Sequence, residues 1–208
     1  MESFSFIQWA LDHLNYWTVA LLMTIESSFI PFPSEIVVPP AAYLAAAGEM
    51  NLYLMVLSAT AGALLGALIN YGLSIWIGRV IVYKFVNSRL GHALLLNEQK
   101  MIKAESYFVR YGNVSTLIGR LVPAVRQLIS IPAGLAKMPI GRFVLYTSIG
   151  AAIWNSILAV LGYSLHSVVP KEQLMEKVHV YTSQISWALL GLGVLVFGYI
   201  IWKMIRNK

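Results

Sequence analysis

The chain of 208 residues contains no cysteine. That absence excludes disulfides, thiol catalysis and cysteine-ligated metals together, without fixing a compartment. Charge is scarce as well, at 12% of residues against 58% hydrophobic, whereas an ordinary soluble domain carries about 25% charged residues. With a mean hydropathy of +0.70, the class that fits is a polytopic membrane protein. No lysine or arginine precedes Arg79. The opening Met1-Glu2-Ser3-Phe4 thus lacks a positive leader, and no cleavable signal peptide is expected. HExxH, GxSxG and phosphate-loop patterns are missing, and His13, His92, His166 and His179 fall near segment ends. The expectation is a non-enzyme without metal or cofactor.

What is present is apolar sequence in blocks. Leu52 to Ile77, Phe143 to Leu165 and Ile185 to Trp202 each approach the ~20 residues that cross a bilayer. Residues 1–13 read as a short interfacial helix, with Phe4, Ile7 and Leu11 at helical spacing and Trp9 and Trp17 suited to the interface. Leu14 to Ile30 is apolar but short, and Pro31 and Pro33 must break it, since proline has no amide proton and restrains its predecessor. Ile36 to Ala47 resumes, too short for a crossing, as a re-entrant arm. The second half repeats this order. Asn97 to Tyr111 reads as a surface-lying helix, and Asn113 to Ala136 as a second hairpin broken at Pro123 and Pro132. Sliding the chain on itself by about 90 positions places Pro33 on Pro123 and Gly72 on Gly162.

The predicted fold is an all-α polytopic membrane protein of two inverted repeats. Each repeat is an interfacial helix, a re-entrant hairpin and a transmembrane helix, and a C-terminal transmembrane helix follows. One domain spans 1–208: repeat one about 1–78, a basic linker 79–96, repeat two about 97–166, and the last helix about 183–203. The basic stretches near Arg79 to Arg110 and Lys203 to Lys208 predict cytoplasmic faces that contact anionic lipid heads. They are not read as a nucleic-acid footprint. The N-terminus is then expected outside, unless Leu14 to Ile30 crosses completely.

Four charged residues inside apolar sequence carry the functional reading. An intramembrane cation costs at least ~2.5 kcal/mol, so it usually faces a partner or an anionic ligand. Arg120 and Arg126 lie in Gly119-Arg120-Leu121-Val122-Pro123-Ala124-Val125-Arg126, and their planar forks match phosphate oxygens bidentately. Glu26 and Glu35 bracket Pro31 and Pro33. They read as proton-titrating carboxylates, or as structural partners of the arginines. The two readings are compatible, because glutamates can hold the arginines in the empty state and release them to a phosphate. Asn70, Tyr71, Trp154 and Asn155 are candidates for lining a cavity, and Asn155 should find an interhelical hydrogen bond. Gly62 and Gly66 permit close helix approach.

These residues resemble a known family. Glu26…Phe32-Pro33-Ser34-Glu35-Ile36, Gly119-Arg120-xx-Pro123-xx-Arg126 and Pro132-Ala133-Gly134-Leu135-Ala136-Lys137-Met138 are similar to the motifs of the DedA family of bacterial membrane proteins, which share the VTT, or SNARE-associated Golgi protein, domain. The likeness continues through Arg142-Phe143, Trp154-Asn155 and Gly162-Tyr163, covering roughly residues 20–166. Ser74 and His166 stand where the pattern has glycine. The resemblance implies opposed re-entrant hairpins and lipid translocation in the bacterial cytoplasmic membrane, with Glu26 and Glu35 in proton coupling and Arg120 and Arg126 at the head group. It points to the branch linked to undecaprenyl phosphate, the cell-wall carrier lipid; another branch is linked to phosphatidylethanolamine. The expected partners are anionic lipids and protons, with the oligomeric state open. A lipid phosphatase, a non-transporting assembly protein and a soluble-ion exchanger are the other classes weighed.

Overall fold

The structure, a computed structural model, describes residues 13–28, 34–78 and 98–168, with isolated positions at 80, 81, 84, 170, 173, 176, 177, 180–182, 184 and 191. All secondary structure among the described residues is helical. All but the last residue of the interfacial helix expected at 1–13, Pro31, Pro33, most of the 79–96 linker and nearly all of the C-terminal helix expected at 183–203 lie outside the described residues.

Helix α1 (Tyr16–Ser27) starts at Asn15, whose side chain accepts from the amides of Trp17 and Thr18 while Thr18 Oγ1 accepts from the Asn15 amide. This capping box satisfies amides that have no partner within the helix. A short 3-10 turn (Ser34–Ile36) leads to α2 (Val38–Ala46), where Pro39 and Pro40 fall in the first turn and lose no helical hydrogen bond. Gly48, at φ +85°, takes the left-handed conformation that reverses the chain. Asn51 then caps α3 (Leu52–Leu73), which continues as one π turn through Gly78.

Helix α4 (Glu98–Leu121) is a single rod. It joins the surface segment and the first hairpin arm that the sequence suggested as separate pieces, because nothing between Tyr111 and Asn113 interrupts the backbone ladder. Proline enters only at Pro123, the first residue of α5 (Pro123–Arg126). After a turn at 127–129 comes α6 (Ser130–Leu135). Pro132, expected to break a helix, lies in the first turn of α6, where its missing amide has no carbonyl to lose. Lys137, at φ 50°, turns the chain into α7 (Ile140–Leu165).

Among the described residues two helical stretches are long and apolar enough to cross a membrane, Leu52–Gly78 and Ile140–Leu165. At about 1.5 Å per residue each is close to ~40 Å long, beyond the ~30 Å hydrocarbon layer. Helices α1, α2 and α6, at 12, 9 and 6 residues, are too short to cross. The long helices expose Leu57, Leu65, Trp76, Leu145, Ile153 and Val160 on their outer faces, which suits lipid and not water.

Packing is reciprocal. Helix α1 lies on α3 and α4 on α7, while α2 lies on α7 and α6 on α3. Missing side chains permit these contacts. A Cβ on Gly62 or Gly66 would overlap the backbone oxygen of Ala20 or Thr24, and one on Gly162 would overlap Pro39. One apolar core gathers Leu22, Met23, Val38, Met55, Trp154 and Leu158. A second gathers Ala67, Tyr71, Ile129, Ala133 and Phe143.

Candidate functional site

The charged residues meet between these cores, where both broken segments face the long helices. Glu26 is in the last turn of α1, before the break, and is 1% exposed. Arg126 ends α5 and is 4% exposed. Although 100 residues separate them in the chain, Arg126 Nη2 lies 3.0 Å from both carboxylate oxygens of Glu26. Ser27 Oγ donates to Glu26 Oε2 at 2.9 Å and Gln127 Nε2 reaches Oε1 at 3.5 Å. The remaining grip on Arg126 comes from Ser34 and Trp154. Its Nη1 donates to Ser34 Oγ at 3.0 Å, and its guanidinium carbon stands 5.5 Å from the indole centroid, within cation–π range. Trp154 Nε1 donates to the same Ser34 oxygen at 3.2 Å.

Arg120 is held differently. It sits in the last turn of α4, 2% exposed, with its aliphatic stem against Gly150 of α7. Among the described residues its guanidinium makes one hydrogen bond, Nη2 to Ser130 Oγ at 2.6 Å, and no ion pair. Its buried Nε has no partner. Arg120 still lies within the electrostatic reach of Arg126 and Glu26, so the three form one cluster. Two guanidinium groups against one carboxylate leave one positive charge uncompensated among the described residues. A buried charge without a partner is strongly unfavourable, and an anion would offset it.

Glu35 does not join the cluster: it is half-buried in the 3-10 turn, and no ion pair links it to either arginine. Asn70 and Trp154 do join it. Asn70 Nδ2 donates to Ser27 O at 3.1 Å and Gln127 O at 3.5 Å, so one amide on α3 ties the ends of α1 and α5 together. Asn155 is fully buried and bonds Thr60 Oγ1 at 3.4 Å across α3 and α7, the interhelical partner its position called for. Tyr71 bonds none of the charged residues: it donates to Met138 O and stacks on Phe143. The sequence reading missed Ser34, Ser130, Ser27 and Gln127. Ser34 stands inside the Phe32-to-Ile36 motif and Ser130 lies two residues before Pro132, and that proximity was the one signal available.

Fold and site together define a helical membrane protein with a buried, positively biased polar cluster where two broken segments meet. The chain belongs to the VTT domain family, the DedA family, whose model matches residues 17–164. It is similar to the alkaline phosphatase-like protein of Lactococcus lactis subsp. lactis (strain IL1403), 37% identical over 159 residues, 74% of this chain and 72% of that one. It is also similar to two proteins named undecaprenyl phosphate transporter A. The one from Bacillus subtilis (strain 168) is 30% identical over 76% of this chain and 75% of its own length. The one from Staphylococcus aureus (strain NCTC 8325 / PS 47) is 28% identical over 90% of both. No solved structure matches significantly.

Proposed function

We propose that this protein moves a phosphate-headed lipid, undecaprenyl phosphate foremost, across the bacterial cytoplasmic membrane. The single observation that carries this is the buried cluster with two guanidinium groups and one carboxylate. Its surplus positive charge, placed in an apolar bundle, is neutralised by an anionic head group while the hydrocarbon tail stays in lipid. The relatives named undecaprenyl phosphate transporter A support the choice of cargo.

In this reading Arg120 is the open cation and Arg126 the latched one. A phosphate arriving at Arg120 competes with Glu26 for Arg126. Protonation of Glu26 removes the opposing charge and frees the second fork, which couples proton uptake to head-group capture. Glu35, half-buried in the 3-10 turn, is the second carboxylate assigned to proton coupling in this reading. The reciprocal packing of α1 and α6 on α3, and of α4 and α2 on α7, supports two inverted halves with re-entrant arms. Their rocking would open the cluster to one face and then the other.

The test is transbilayer movement in liposomes containing the purified full-length protein. Undecaprenyl phosphate should change leaflets, faster than phosphatidylethanolamine, and Arg120→Ala and Arg126→Ala should each abolish the movement. Undiminished transport in both variants would refute the proposal. The name of the Lactococcus relative raises hydrolysis as a second reading, and release of inorganic phosphate in the same assay would support it. The geometry favours movement, because Ser34 and Ser130 meet arginines and an indole, and among the described residues no general base is bonded to either hydroxyl.

A further inference from the structure

Two buried serines carry hydroxyl protons that nothing among the described residues accepts. Ser34 opens the 3-10 turn after the first break and is 1% exposed. Ser130 opens α6 after the second break and is 0% exposed. A hydroxyl has one proton to give and two lone pairs that accept, whereas guanidinium and indole nitrogens only donate. Arg126 and Trp154 therefore occupy both lone pairs of Ser34, and its proton must point elsewhere. Arg120 occupies a lone pair of Ser130 with the same consequence.

Other hydroxyls in the bundle show what a satisfied one looks like. Ser27 donates to Glu26, Ser28 to Ile25 O, Ser74 to Asn70 O and Thr24 to Ala20 O. Ser34 and Ser130 make no such donation. They occupy matching places, each at the start of a second arm and each against one of the two buried arginines. A buried donor without an acceptor is costly. Here two of them stand beside the surplus charge, together with the unpartnered Arg120 Nε.

We propose that Ser34 and Ser130 are head-group ligands, each donating its hydroxyl proton to a non-bridging oxygen of a phosphate held between Arg120 and Arg126. This rests on the phosphate-lipid reading above and adds two neutral donors to it. It also narrows the substrate class. A phosphate monoester offers three non-bridging oxygens and a diester two, so two forks and two hydroxyls are used more fully by a monoester.

The experiment is binding to the full-length protein in detergent, with three probes: a short-chain polyprenyl monophosphate, a dialkyl phosphodiester and inorganic phosphate. Ser34→Ala, Ser130→Ala, Ser34→Cys and Ser130→Cys are compared with wild type and with Arg120→Lys. Cysteine keeps the side-chain volume and weakens the donor, and a lipid-free melting curve shows that each variant is folded. Each folded serine variant should bind the monophosphate about ten- to a hundredfold more weakly, with less preference for monoester over diester. Unchanged monoester binding in folded cysteine variants, alongside loss in Arg120→Lys, would overturn the serine assignment and leave the phosphate-lipid reading standing. No monoester binding by wild type would overturn both. Inorganic phosphate bound as tightly as the lipid, and weakened by the same substitutions, would keep the serines as ligands and move the source from lipid to free phosphate.

Discussion

Replacing Glu26 by glutamine removes one negative charge from a site that already has too few. The carboxylate is 1% exposed, and Arg126 Nη2 stands 3.0 Å from both of its oxygens. Glutamine retains an acceptor for one of those contacts, so the loss is chiefly electrostatic. Removing one partner of a buried pair costs about 3–5 kcal/mol. Retention of one acceptor places Glu26→Gln near the lower end, at about 3 kcal/mol. At about 2–4 °C per kcal/mol for a chain of this size, its melting temperature in detergent should fall by roughly 6–12 °C. Arg126→Gln should cost a similar amount, because it strands the carboxylate instead. The double variant removes both charges and leaves two amides able to bond each other. It should therefore melt above the sum of the single losses, with a coupling of at least about 2 kcal/mol. Undecaprenyl phosphate should raise the melting temperature of Glu26→Gln more than that of wild type, since the lipid replaces the missing charge. Strictly additive single losses, or equal lipid stabilisation in the two proteins, would refute the reasoning.

Other consequences follow from the same contacts. Asn70→Leu removes the amide that joins Ser27 O to Gln127 O; it should lower stability by about 1–3 kcal/mol and slow transport, read by melting and by the liposome assay. Trp154→Phe keeps a ring beside Arg126 but loses the hydrogen bond to Ser34, and a loss of about 1 kcal/mol is expected in chemical denaturation. Gly162→Leu should prevent α2 from seating on α7 and abolish folded protein, whereas Gly72→Ala, which meets open space, should leave yield and melting unchanged.

Much of this site was legible because charge and proline are conspicuous in apolar sequence. Glu26, Arg120 and Arg126 stand out on desolvation cost alone, and Pro123 marks a real interruption. The pairing was not legible. Which arginine meets the carboxylate depends on how α1 and α5 approach across α3, a tertiary matter that no spacing encodes, so Glu26 and Glu35 both stood as possible partners. Pro132 misled because a proline breaks a helix only where an amide is needed, and the start of α6 lies just before it. The break at 122 was visible, but the unbroken run of α4 through Tyr111 to Leu121 was not, since a change from polar to apolar composition resembles a boundary. Ser34 and Ser130 were hidden for another reason: a single hydroxyl has no periodicity, and its value comes only from the guanidinium beside it.

The central claim is that a surplus buried positive charge receives a lipid phosphate. It is tested most directly by an experimental structure of the full-length protein with a short-chain polyprenyl phosphate. The account predicts phosphorus density inside the bundle, with phosphate oxygens at hydrogen-bonding distance from Arg120 and from Arg126. Density at the membrane surface, with Arg120 still bonded only to Ser130 and Arg126 still closed on Glu26, would contradict it.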